Sequence, residues 1–222
     1  MVLYLKYRPQ NLDELIGQEI VKKILTAAKV SGKFSHAYLF VGPRGTGKTS
    51  TARILAKMVN CKNKNSTNLP CNSCDTCISI TDGSNLDLIE IDAASNRGID
   101  DIRALRETIK LSPSSARKKV YIIDEVHMLT TEAFNALLKT LEEPPTHALF
   151  ILATTEGGKV PETILSRVQR LDFKLATPSD LVLALKRVAD GEKIKVTEDV
   201  LKMIAKKADG SFRDGVKLLD QL

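Results

Sequence analysis

The sequence predicts an α/β fold, with five parallel strands covered by helices on both faces and a small helical domain after them. Three observations predict it. Short β-branched runs alternate with helical patterns between residues 37 and 173, the signature of a parallel sheet with crossover helices. The segment Gly42-Pro43-Arg44-Gly45-Thr46-Gly47-Lys48-Thr49 fits the Gly-x-x-x-x-Gly-Lys-Thr phosphate loop and lies between a strand pattern and a helix pattern. Beyond Lys174 the strand patterns stop and helical ones follow.

Bulk composition narrows the class. A chain of 222 residues can bury a sizeable α/β core plus a small second one. With 43% hydrophobic and 27% charged residues it is an ordinary globular sequence, neither disordered nor fibrous. It contains no apolar run long enough for a bilayer, and Met1-Val2-Leu3 leads at once into Tyr4-Leu5-Lys6-Tyr7-Arg8 rather than a signal peptide. A cytoplasmic location with no membrane partner is the expectation. The net charge of +6 suits a polyanion, but solvated lysines give the same sum, so charge alone assigns no partner.

The first helix pattern runs from Gly17 to Val30, with Ile20, Ile24, Leu25 and Ala28 at helical spacing. Ala37 to Val41 follows as a buried strand, then the phosphate loop, then a helix from Thr49 to Met58. Glycines 42, 45 and 47 allow the backbone amides to converge on phosphates, and the helix that follows presents its positive end to the same anion. The expected nucleotide-binding set is Gly42, Pro43, Arg44, Gly45, Thr46, Gly47, Lys48, Thr49 and Ser50, with Lys48 on the β- and γ-phosphates and Thr49 on magnesium.

Cys61, Cys71, Cys74 and Cys77 lie next, in a stretch rich in Asn and Ser. Two overlapping Cys-x-x-Cys steps bring three thiolates to one point, and Cys61 can close a tetrahedral zinc site from the end of the preceding helix. A disulfide conflicts with the expected compartment. A buried apolar role conflicts with the polar residues between the ligands. With no open coordination position or nearby catalytic His suggested, the module, about 60–80, is expected to be structural, closing an insertion that could not build its own core.

Strand patterns recur at Asp87–Ile91, Val120–Ile123, Leu149–Ala153 and Arg170–Phe173. The second of these ends in Asp124-Glu125, the form of a strand that delivers a magnesium-directing Asp124 beside a phosphate loop. Glu125 is then the candidate general base for hydrolysis, and His127 is assigned a structural role. The third ends in Thr154-Thr155-Glu156, where Thr155 can sense the γ-phosphate or position water. Ser166-Arg167 follows a helix-like Pro161–Leu165, and Arg213 lies in Gly210-Ser211-Phe212-Arg213-Asp214. By spacing alone either arginine reads as a surface residue. The last domain holds helix patterns at 179–190, 197–208 and from 211 onward, with Thr177 or Ser179 and Thr197 placed to cap the first two. The expected division is 1–175 for the nucleotide-binding domain and 176–222 for the helical domain. The final pattern stops without a capping signal, and the natural protein is expected to continue.

The order of phosphate loop, four-cysteine insertion, Asp124-Glu125-Val126-His127, Ala153-Thr154-Thr155 and Ser166-Arg167 resembles the AAA+ ATPases of bacterial clamp loaders, in particular the gamma/tau family of DNA polymerase III. The likeness runs from Lys6-Tyr7-Arg8-Pro9 to the end of the chain. It implies ATP, Mg2+ and Zn2+ as cofactors, an AAA+ P-loop NTPase domain and a helical lid. It also implies an adenine pocket lined by Tyr7, Arg8, Pro9 and Ile16. Arg167 would be an arginine finger acting in trans on a neighbouring subunit's nucleotide, and Arg213 a second sensor coupling the lid to ATP. Val168 stands where the family's Ser-Arg-Cys motif has cysteine, a departure beside Arg167 that keeps the arginine itself. The related delta-prime subunits share the zinc insertion but have a degraded phosphate loop, so the intact Gly42–Thr49 favours gamma/tau.

The resemblance implies a motor that loads a sliding clamp onto primer-template DNA within a DNA-directed DNA polymerase holoenzyme. Its partners would be delta- and delta-prime-type subunits, the clamp, DNA and the replicative polymerase, in a hetero-oligomeric ring of full-length chains. A piece lacking the collar would be monomeric. Two alternatives stand beside this reading: another AAA+ DNA motor of the branch-migration helicase type, and an ATP-gated scaffold that does not hydrolyse.

Overall fold

The computed structural model describes residues 2–63 and 69–222. Five strands, β1 (Ala37–Val41), β2 (Leu88–Asp92), β3 (Lys119–Asp124), β4 (Ala148–Thr154) and β5 (Gln169–Asp172), form one sheet in the order β2-β3-β4-β1-β5. Every pairing is parallel. Central β4 is buried at every position, which is why Ala-Leu-Phe-Ile-Leu-Ala-Thr is a continuous apolar run rather than an alternating one. Edge strands β2 and β5 instead carry Glu90, Asp92, Gln169, Arg170 and Asp172, charges and amides that discourage further strand pairing.

Strand alternation sends side chains to two separate cores. On one face Tyr38, Phe40, Ile122 and Ile151 meet Leu25 of α2 (Glu19–Ser31), Leu55 of α3 (Lys48–Asn60) and Ile80 of α4 (Asp75–Asp82). On the other, Leu39, Tyr121, Phe150 and Leu152 meet Ile102 and Leu105 of α5 (Ile99–Lys110), Leu137 of α6 (Thr131–Glu142) and Ile164 of α7 (Glu162–Leu165). Each fully buried side chain of this kind contributes about 1.5–3 kcal/mol. The strand C-termini are thereby held along one edge, the edge at which α/β sheets bind ligands.

The third core belongs to the helical domain. There α8 (Pro178–Glu192), α9 (Glu198–Lys207) and α10 (Phe212–Leu219) bury Leu181, Leu185, Leu201, Ile204 and Leu219. The short N-terminal α1 (Leu3–Lys6) adds Leu3 to this cluster, so the start of the chain packs on the lid and not on the sheet. Gln18 ties the junction down: its Nε2 donates to Lys174 O at 2.7 Å, and its Oε1 accepts from Lys174 N at 3.0 Å. Among the described residues no helix is long and apolar enough to cross a membrane.

Most expected elements form, with shifted ends. The helix expected from Gly17 starts at Glu19, because Gly17 and Gln18 take left-handed backbones, at φ 68° and 55°. The strand expected from Asp87 starts at Leu88. Asp87 is instead a loop anchor whose carboxylate accepts the backbone N–H groups of Ser114, Ser115 and Ala116 at 2.7–2.8 Å. Thr177 caps α8 by accepting from Asp180 N, whereas the Thr197 hydroxyl makes no cap hydrogen bond and Leu201 N donates to the Thr197 carbonyl. Part of the expected cysteine module, residues 64–68, lies outside the described residues.

Candidate functional site

At the end of β1 the chain turns through Gly42–Gly47 into α3. Gly45 sits at φ 77°, and a Cβ there would stand 2.1 Å from Ser211 Oγ of the lid, so a side chain is excluded twice over. The Gly45 carbonyl accepts from Phe212 N at 3.0 Å, joining loop to lid. Thr46 Oγ1 donates to Pro43 O at 2.8 Å and closes the loop. Lys48 is 6% exposed, and its Nζ donates to Gly42 O at 2.7 Å and Pro43 O at 2.9 Å. Burial pushes its pKa below the ordinary lysine value, while the carboxylates of Glu125 and Asp124 oppose that shift. Loop amides, one ammonium and the start of α3 together suit a polyphosphate.

Strand β3 carries Asp124 and Glu125 to the same edge. Thr49 Oγ1 donates to Asp124 Oδ2 at 3.0 Å, and Glu125 N donates to Asp124 Oδ1 at 2.9 Å. A hydroxyl and a carboxylate at that distance fit a small, hard divalent cation such as Mg2+, which takes oxygen ligands. Glu125 itself has a left-handed backbone, φ 46°. Its Oε2 accepts from Thr155 N at 3.2 Å and from Thr155 Oγ1 at 3.0 Å, so Thr155 reaches the site through Glu125.

A cleft of about 620 Å³ between sheet edge and lid gathers most of the residues singled out in the sequence. Arg44, Gly45, Gly47, Lys48, Thr49 and Ser50 line the loop side, and Asp124 and Glu125 the carboxylate side. Tyr7, Arg8, Pro9 and Ile16 line the N-terminal wall, and Arg213 enters from the lid. Burial, then the neighbouring Arg53 guanidinium, push the Arg8 pKa down. Arg213 stacks 4.8 Å over the Tyr4 ring, and its buried Nε has no hydrogen-bond partner among the described residues.

Thr155, Arg167 and the four cysteines stand outside this cleft. The Arg167 guanidinium is held by its own chain, through Glu142 Oε1 at 2.7 Å and Thr163 O at 2.7 Å. Sequence reasoning missed Tyr4, Asp92 and Arg187, which also line the cleft. Asp92 had a usable signal, since it ends β2 at the ligand-binding edge. Tyr4 and Arg187 had none, because packing of α1 and α8 brings them there. His127, assigned a structural role in the sequence, has a side chain that is 7% exposed and lies between Glu125 and Glu156.

The cysteines form a second site. Cys61 follows α3, Cys74 stands at the N-cap position of α4 without a side-chain cap bond, and Cys77 lies in its first turn. The four sulfurs lie within 4.8 Å of one another, and all four thiols are free. Cys71 N donates to Cys61 Sγ and Cys74 N to Cys71 Sγ, both at 3.4 Å, contacts that stabilise thiolates. Hydrogen bonds from Ser73 bring the Cys71 thiol down to about 6, while burial raises Cys61 and Cys77. A tetrahedral zinc with Zn–S of about 2.3 Å needs sulfurs about 3.8 Å apart, which this set reaches with small side-chain movements.

Residues 17–177 match the family model described as DNA polymerase III, delta subunit. Residues 181–222 match the DNA polymerase III clamp loader subunit, ATPase lid domain. The DNA polymerase III subunit tau of Bacillus subtilis is 56% identical over 99% of this chain, and the subunit gamma/tau of Mycoplasma genitalium 52% identical over 100%. The chain spans 39% and 37% of those relatives' own lengths. Among solved structures, the Thermotoga maritima RuvB Holliday junction branch migration motor matches with a TM-score of 0.70 and 26% identity, over 96% of this chain and 63% of that one.

Proposed function

The chain belongs to the family of DNA polymerase III gamma/tau clamp loader subunits, and from that membership we propose that it is the ATPase motor of a clamp loader. It binds and hydrolyses ATP to place a sliding clamp on primer-template DNA during replication. The observation that carries this is the convergence of Lys48, Thr49, Asp124, Glu125 and Arg213 on one cleft whose far wall offers Tyr7, Pro9 and Ile16 to a base.

Each residue has a part. Loop amides from Gly42 to Ser50 and the Lys48 ammonium hold the phosphates. Thr49 and Asp124 would hold Mg2+, which when bound neutralises charge on the phosphate oxygens. Glu125 takes the proton of the attacking water, a contribution of about 10²–10⁴ in rate. Thr155, already hydrogen-bonded to that carboxylate, orients it toward the γ-phosphate. Arg213 links the nucleotide to the lid, and its buried Nε, without a partner among the described residues, supports that role.

Arg167, held outside its own cleft, serves a neighbouring subunit's nucleotide. Residues 1–175 form the AAA+ domain and 176–222 the lid, and the cysteines hold one structural zinc. The partners are delta- and delta-prime-type subunits in a ring, the clamp, DNA and the replicative polymerase, in the cytoplasm. The likeness to RuvB favours a branch-migration motor as second reading; the four-cysteine cluster and the gamma/tau relatives favour the first.

Lys48→Ala should abolish ATP affinity, while Glu125→Gln should retain affinity and block turnover, because one loses a phosphate contact and the other only the base. Calorimetry and steady-state hydrolysis with and without clamp and primed DNA test this. Equal ATP binding by Lys48→Ala and wild type would refute it.

A further inference from the structure

His127 belongs to no phosphate, magnesium or zinc motif, yet it is almost fully enclosed beside the proposed base. It sits in the 3-10 turn Val126–Met128 that follows Glu125. Its Nδ1 lies 2.9 Å from Thr154 Oγ1 and 3.3 Å from Glu125 Oε2. Its Nε2 lies 3.3 Å from Glu156 Oε1. Thr154 is fully buried, and its Oγ1 also accepts from Glu156 N at 3.0 Å. Glu156 is held in turn by Lys159 at 2.8 Å. The imidazole therefore bridges the end of β3 to the end of β4, with an acceptor facing each ring nitrogen.

We propose that His127 is a positioning residue for hydrolysis: as a doubly protonated ring it donates Nδ1–H to Glu125 and Thr154 and Nε2–H to Glu156, which fixes the ring plane. This rests on the reading of Glu125 as base. A carboxylate on a strand-end turn has free rotation about its side-chain torsions. Three contacts on one oxygen, two from Thr155 and one from His127, limit it to a narrow arc at the cleft rim. Removing one of them widens the arc, and loss of alignment at a reacting group costs rate without costing substrate affinity.

The test uses the complete subunit assembled with its clamp loader partners, in ATP hydrolysis with clamp and primed DNA, alongside ATP binding to each variant. An asparagine amide nitrogen reaches the place of Nδ1, and a glutamine amide that of Nε2. His127→Ala should lower kcat about 10- to 100-fold and leave the ATP Kd within about twofold. His127→Asn should recover most of the loss and His127→Gln little of it. Combining His127→Ala with Glu125→Gln should cost nothing beyond Glu125→Gln alone, since both act through one carboxylate.

Wild-type kcat in His127→Ala, equal rescue by Asn and Gln, or a full further loss in the double variant would each overturn the positioning role. Should His127→Ala fail to fold, the Asn and Gln variants still decide, because both keep a polar amide. If Glu125→Gln turns over normally, the base assignment falls and this proposal with it. A blocked Glu125→Gln beside an unaffected His127→Ala sinks the positioning role alone.

Discussion

Replacing Lys57 by methionine probes how the cysteine cluster is tied to the nucleotide cleft. Lys57 lies on α3 and is 1% exposed, with burial pushing its pKa below the ordinary value. Its ammonium donates to Gln10 Oε1 at 2.6 Å, Asn72 Oδ1 at 2.7 Å and Thr81 Oγ1 at 3.4 Å. Gln10 follows the cleft-lining Arg8 and Pro9, and Asn72 lies between Cys71 and Cys74. One cation therefore joins three segments. The two short bonds are charge-assisted and worth about 1.5–3 kcal/mol each, roughly 3–6 in sum. Against that, keeping an ammonium out of water costs several kcal/mol, a cost methionine does not carry. Methionine also keeps the stem packing but leaves Asn72 Oδ1 without this donor, so a net loss of about 1–3 kcal/mol is expected. For a chain of this size that lowers Tm by roughly 2–12 °C, read by calorimetry. Amide exchange should quicken at Asn72–Cys77 first. A Tm at or above wild type would mean that desolvation outweighs the three bonds, and the reasoning would fail.

Asp87 gives a pH dependence with a definite sign. Burial alone would raise its carboxyl, but the amides of Ser114, Ser115 and Ala116 hold it below its ordinary value. Its stabilisation is therefore present above the unfolded value of about 3.9 and is lost as pH falls through the lower folded value. Asp87→Asn should cost about 1–3 kcal/mol at neutral pH, and the gap to wild type in denaturant melts should close in acid; a gap independent of pH would count against it. One tightly bound zinc per chain is expected, and Cys74→Ser should loosen residues 60–80 while leaving hydrolysis chemistry alone. Metal analysis well below one zinc per chain in protein purified without chelators would refute that. Arg167→Ala should leave ATP binding intact and suppress stimulated hydrolysis by about 10³–10⁵. Mixing full-length Arg167→Ala with full-length Lys48→Ala subunits should restore activity at interfaces that pair an intact loop with an intact arginine, and no recovery in rings shown to be mixed would place Arg167 in cis.

Legibility in the sequence followed the range of the interactions. The phosphate loop was readable because strand, glycine turn and helix are contiguous, and nothing distant can relocate Lys48 relative to Gly42. Asp124 and Glu125 were readable for a similar reason, since a buried strand delivers whatever follows it to the sheet edge. The cysteines announced themselves by spacing, although two of them, Cys74 and Cys77, also belong to the start of a helix that the polar sequence obscured. What failed was long-range. Asp87 looked like strand because its neighbours are apolar, and only the loop some 27 residues later explains its burial. Tyr4 reached the cleft because α1 packs on the lid, a contact between opposite ends of the chain.

The surroundings of His127 show a second long-range dependence. A histidine beside an acidic pair has an ordinary structural explanation, and the sequence alone cannot reveal which groups face its nitrogens. The order β3-β4-β1 decides it, by setting the end of β4 between the phosphate-loop strand and the strand that bears Glu125. Thr154, Thr155 and Glu156 thereby become the neighbours of Glu125 and His127. Strand order is settled by the packing of whole helices on both faces, so the residues that tune the proposed base are fixed by the fold's least local feature, while those that bind phosphate are fixed by its most local one.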